Sequence, residues 1–105
     1  MNIKELIQLV KRRPGMFIGD LKLEYLYHFI NGFLFNNIST SRADEIDEAF
    51  KREFHQWVRE WIKENKNIEF DEDRNYLYYI QEVCKSQEQC FTMFFELAEE
   101  YFKEL

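Results

Sequence analysis

Proline occurs once in this 105-residue chain, at Pro14, and glycine three times, at Gly15, Gly19 and Gly32. Proline and glycine are the strongest breakers of regular structure, so outside one short stretch little interrupts a helix. That stretch is Arg12-Arg13-Pro14-Gly15-Met16-Phe17-Ile18-Gly19-Asp20. Proline fixes φ and lacks an N–H, and glycine reaches positive φ without steric cost. Pro14-Gly15 therefore marks a tight turn and Gly19 a second bend. Between them Met16, Phe17 and Ile18 form an apolar plug expected to pin the turn to the core.

Elsewhere the apolar spacing reads as helix. Ile3, Leu6, Ile7 and Val10 follow the i, i+3, i+4, i+7 rule and predict a first helix ending before Pro14. Asp20 is placed to cap a second helix over 21–36, with Leu23, Leu26, Tyr27, Ile30 and Leu34 on one side and Tyr25, Phe29 and Phe33 on another. A helix apolar on two sides is expected to be packed on both. Residues 36–41 form a polar connection. Ser41 with Asp44 approximates a capping box for a third helix over 42–65, whose inner face holds Ile46, Phe50, Phe54, Trp57, Trp61 and Ile62 and whose outer face allows a Glu48–Arg52 pair. Residues 65–75 break the pattern, and Ile68-Glu69-Phe70 alternates as a short strand would. A fourth helix over 75–85 uses Leu77, Ile80, Val83 and Cys84. Ser86 with Gln89 then opens a fifth, burying Phe91, Phe94, Phe95, Ala98, Tyr101 and Phe102. The expectation is an all-α fold, a compact single-domain bundle of about five helices over residues 1–105.

The net charge of −6 is unevenly spread. Residues 1–37 carry five basic and three acidic side chains, a balance of +2, whereas residues 38–105 carry nine and seventeen, a balance of −8. A field of that sign repels nucleic acid and anionic membrane and steers a basic partner inward. The longest uninterrupted apolar run is Tyr76–Ile80. It is too short for a signal peptide, which needs roughly 7–15 apolar residues, or for a membrane span. Cys84 and Cys90 have no neighbouring His or further Cys to complete a zinc set, and read as buried reduced thiols with a cytoplasmic location as the default.

Catalytic constellations are thin. Asp71, Asp73, Asn75 and Glu82 match four ligand positions of a calcium loop. Tyr76, however, occupies the position that needs glycine, so a solvated acidic connection is the expectation and no metal or other cofactor is implied. His28 and His55 read as core or boundary residues, and no nucleophile elbow or phosphate-cradling glycine loop occurs. The aromatic surplus, eleven Phe, six Tyr and two Trp, is first of all core material. Tyr25, Tyr76, Tyr78 and Tyr79 nevertheless exceed what one helix face can hide, and tyrosine beside carboxylates suits a patch that receives Arg or Lys.

Arg13-Pro14-Gly15-Met16-Phe17-Ile18-Gly19 resembles a segment near the start of the ATPase domain of DNA gyrase B subunits. The following helix, Tyr27-His28-Phe29-Ile30-Asn31-Gly32-Phe33, lacks the glutamate base of those ATPases, and their later glycine motifs are absent. The likeness is therefore to a local turn, not to an activity. The same turn followed by Leu23, Leu26, Phe29, Ile30 and Gly32 resembles small bacterial immunity proteins of polymorphic toxin and contact-dependent inhibition systems. That resemblance implies a non-enzymatic helical protein that binds a cognate toxin domain stoichiometrically. The candidate contacts are Asp44, Glu45, Asp47 and Glu48, then Glu69, Asp71, Glu72 and Asp73, with Tyr76, Tyr78 and Tyr79 as anchors. A phosphate or nucleotide held by Arg12, Arg13 and the Gly15 turn is the rival expectation.

Overall fold

The computed structural model describes residues 1–105. Five α-helices and one 3₁₀ turn follow in chain order: α1 (Ile3–Arg12), the turn Pro14–Met16, α2 (Leu23–Ser39), α3 (Glu45–Lys66), α4 (Tyr76–Val83) and α5 (Gln87–Glu104). There is no strand, and the 68–70 segment is irregular.

Local chemistry accounts for most helix ends. Asn2 accepts from Glu5 N–H while the Glu5 carboxylate accepts from Asn2 N–H, a reciprocal cap that starts α1. Arg13, which precedes the proline, is held out of the helical region at φ −141°, ψ 65°, and α1 stops there. Asp44 and Asp47 make the same reciprocal cap for α3, and Asn67 ends it in the left-handed conformation at φ 56°. Asn75 caps α4 and Ser86 caps α5. Gln89 accepts from Lys85 N–H, one residue before the expected partner.

The start of α2 differs from expectation at Asp20, and its end and the start of α3 differ because of Asn37. Asp20 does not cap α2; its carbonyl accepts from Lys22 N–H in a turn, and Lys22 occupies the cap position without a side-chain bond. At its other end α2 runs on through Asn36 and Asn37 to Ser39. The Asn37 side chain is buried and donates to the Asp47 carboxylate and to the carbonyl of Met1, while its own carbonyl accepts from Arg42 and Ala43 N–H. These bonds hold the α2–α3 turn, with Ser41 at φ 60°, and α3 begins at Glu45.

The core is one cluster drawn from all five helices and Ile18. The first-helix stripe Ile3, Leu6, Ile7 and Val10 is wholly buried, as are Phe91, Phe94, Phe95, Ala98, Tyr101 and Phe102 of α5. On α3 the buried line is Phe50, Phe54, Val58 and Ile62, with Ile46, Trp57 and Trp61 at its margin. Both indoles donate to α5 carboxylates, Trp57 to Glu104 and Trp61 to Glu100, so the outer face of α5 also holds α3 in place. Arg52 pairs with Glu53, not with Glu48.

The turn is anchored by less than expected. Ile18 is buried and Phe17 packs on Phe29 with ring centroids 6.0 Å apart, but Met16 is 68% exposed. No glycine in the chain has positive φ. A Cβ at Gly15, Gly19 or Gly32 would meet nothing within 4 Å. For Gly32, inside α2, the cost relative to alanine is about 0.5–1 kcal/mol, with no compensating use inside the protein. The second apolar side of α2 is also left partly open, since Phe29 and Phe33 are half-buried and Tyr25 is exposed.

Cys84 and Cys90 are paired with each other, with Cα atoms 5.3 Å apart, which corrects the expectation of free thiols. Cys84 lies just past the end of α4, and Cys90 sits one turn into α5 on its buried side. The chain reversal capped by Ser86 brings together two residues that a continuous helix would have pointed apart.

Candidate functional site

The eight carboxylates proposed from sequence fall into two groups, at opposite ends of α3. The first surrounds its N-terminus. Asp44 is exposed and accepts from Asp47 N–H at 2.9 Å and from the Asn2 amide at 2.9 Å. These bonds, the backbone one foremost, hold its carboxyl below the usual carboxylate range. Glu45 and Glu48 are exposed, carry no ion pair, and border a shallow depression with Ala43, Ile46 and Arg52. Asp47 does not belong to this surface. It is fully buried, accepting from Ile3 N–H at 2.6 Å, from the Asn37 amide at 3.2 Å and from Asp44 N–H at 3.3 Å. A residue expected to face a partner instead ties the starts of α1 and α3 to the end of α2.

The second group lies in the α3–α4 connection. Asp73 pairs with Arg59, Glu69 with Lys63 at 3.2 Å and Glu72 with Arg74 at 3.3 Å, leaving Asp71 unpaired. Arg59 also donates to the carbonyl of Phe70 and so fastens the connection to α3. These carboxylates serve cations of the chain itself, and no cluster of three or more His, Cys, Asp or Glu side chains is arranged to hold a metal ion. Glu45 and Arg59 are fourteen residues apart on one helix, about 21 Å, so the two acidic groups do not form one patch.

Of the proposed anchors, Tyr76 and Tyr79 are buried and only Tyr78 is half-exposed. The Tyr76 ring lies among Tyr27, Phe50, Phe54, His55 and Phe94, and burial pushes its hydroxyl far above the usual tyrosine value. Tyr79 donates to the Glu72 carbonyl and accepts from Arg74 N–H, closing the connection from inside. The Arg74 guanidinium covers the Tyr78 ring at 4.3 Å.

The histidines separate. His28 is exposed on α2, contrary to expectation. His55 is half-buried, and its Nδ1 accepts from Tyr76 N–H at 3.0 Å, supplying α4 with a partner for its first amide. An imidazole accepting at Nδ1 must be neutral, and burial lowers its pKa below 6.5. The folded state thus binds fewer protons than the unfolded state just below pH 6.5. Stability is expected to be flat above that pH and to fall as the pH drops from 6.5 towards 5. Urea midpoints at pH 7.5 and 5.5 check this, and His55→Gln should flatten the slope.

The 3₁₀ turn binds itself. Met16 N–H donates to the Arg13 carbonyl, and Phe17 and Ile18 N–H both donate to the Pro14 carbonyl, at 3.0–3.1 Å. The chain matches no protein-family model, no curated protein and no solved structure. No helix is long and apolar enough to cross a membrane. The site that remains is the exposed, unpaired carboxylates Glu45 and Glu48 with the capping Asp44, and, separately, the unpaired Asp71 and the Arg74-covered Tyr78.

Proposed function

We propose that this protein is a non-enzymatic immunity protein that binds a basic toxin domain and neutralises it stoichiometrically. The observation that carries the reading is the start of α3, where Glu45 and Glu48 stand exposed without an ion pair. They add to the negative field of α3's first turn and of residues 38–105, the arrangement that steers a cationic partner to one place. The connection at 69–73, whose charges are mostly spent internally, is a secondary contact at most. The rival phosphate reading has fewer donors in the turn, because the N–H groups of Met16, Phe17 and Ile18 are already engaged.

The reading places the protein in the cytoplasm. The α4–α5 junction is fixed by the Ser86 cap as well as by the Cys84–Cys90 pair. Co-purification with the product of the adjacent upstream gene is the direct test. In the complex, Glu45→Lys with Glu48→Lys is expected to slow association about tenfold at low salt and to flatten its salt dependence. An unchanged association rate, or the absence of any complex with that product, would sink the proposal.

A further inference from the structure

On the solvent side of α2, Tyr25, His28, Gly32, Phe35 and Ser39 recur at spacings of three, four, three and four residues. That is the heptad spacing of a helix that packs against another helix. All five are exposed, with Tyr25 at 44% and Phe35 at 74%. Within α2 only Glu24 carries a formal charge at neutral pH. Gly32 lies at the centre of the stripe, weakens its own helix, and borders open space. A glycine there leaves room for a group of a partner to come close.

We propose that this face of α2 pairs with the same face of a second copy, antiparallel, about a two-fold axis level with Ile30. In that register Gly32 of one copy lies opposite His28 of the other, so the missing side chain accommodates the imidazole. Phe35 of one copy lies opposite Tyr25 of the other, ring against ring on both sides of the axis. The ends are complementary in charge as well. Lys22 sits at the α2 N-terminus with no ion pair, its Nζ 5.5 Å from the centre of the Tyr25 ring, while α2 has no basic residue in its last turn. Antiparallel pairing sets Lys22 of each copy beside the negative end of the other copy's α2 dipole. Two molecules of net charge −6 repel each other in general. This nearly uncharged face is where like copies meet at least electrostatic cost.

Sedimentation equilibrium of the full chain from about 1 µM to about 1 mM tests the pairing by mass action. The wild type is expected to dimerise. Phe35→Glu is expected to raise the dissociation constant at least about 30-fold, the effect of a single hot-spot side chain, of which the dimer loses two. Gly32→Leu should also dissociate the dimer. Both positions are solvent-exposed, so helical circular dichroism and the thermal midpoint of the monomer should persist and separate lost pairing from lost folding. A wild type that stays monomeric throughout the range, or a dimer indifferent to Phe35→Glu, overturns the proposal. A short bismaleimide distinguishes the register. A mixture of the H28C and G32C variants should cross-link faster than either alone, and faster cross-linking of one variant with itself refutes the antiparallel arrangement.

Discussion

Phe54→Ala is expected to lower the free energy of unfolding by about 4 kcal/mol, from the 3–5 kcal/mol range of fully buried phenylalanines. Phe54 has no exposed surface, and its ring is surrounded by other rings: Phe50 at 4.5 Å, Tyr76 at 5.0 Å, Tyr101 at 5.3 Å, Phe94 at 6.0 Å and Trp57 at 6.1 Å. Those neighbours come from α3, α4 and α5, so the hole would open where three helices meet. Flat rings cannot fold into a cavity as a flexible methionine does, so relaxation should recover little of the loss. For a chain of this size the thermal midpoint should fall by roughly 15–25 °C. Urea unfolding is the check. A loss under about 2 kcal/mol would mean that the ring cluster repacks, and would contradict the rigidity argued here.

Asp47→Ala is the second large effect, expected near 3 kcal/mol because hydrogen bonds to a charged group contribute about 1.5–3 kcal/mol and the orphaned partners add a desolvation cost. The carboxylate is buried. Without it the N–H of Ile3 loses its acceptor in the core and the Asn37 amide keeps only the Met1 carbonyl. Asp47→Asn should recover part of the loss, since one side-chain oxygen remains to accept from Ile3. Glu45→Ala, two residues away on the exposed face, is the control and should change stability by less than about 0.5 kcal/mol. Equal losses at 45 and 47 would refute the burial argument.

The helices were legible where an apolar period ran long enough to be unambiguous. The α1 stripe and the α5 phenylalanines landed in the core, and Ser86 announced α5 by ordinary capping chemistry, whereas the Asn75 cap of α4 went unread. The α4 face was not legible, because Tyr76–Ile80 is apolar at every position and an eight-residue helix offers no period to read. Leu77 and Val83 were expected inside, yet Tyr76 and Tyr79 took that side and left the proposed surface without two of its anchors.

The candidate site was less legible than the fold. Asp44, Glu45, Asp47 and Glu48 look alike in sequence. Only the approach of Ile3, 44 residues earlier, and of Asn37 makes Asp47 an interior residue. The connection at 69–73 looked like free negative charge until chain reversal after Asn67 laid it along Arg59 and Lys63. The Cys84–Cys90 pair likewise depends on the break at Ser86, whose cap was visible although its effect on the two thiols was not.

The buried bond between Ile3 and Asp47 also has a place in time. Most of this chain's order is local helix, which forms early, whereas this bond joins residues 44 apart in sequence and must wait for the chain between them to close into position. It is therefore expected to form late in folding. The part of the Asp47→Ala loss that comes from this bond should appear as faster unfolding, whereas the part that comes from the α3 cap and from Asn37 should slow refolding. Asp47 thus bears on how fast the protein opens as well as on how stable it is at equilibrium.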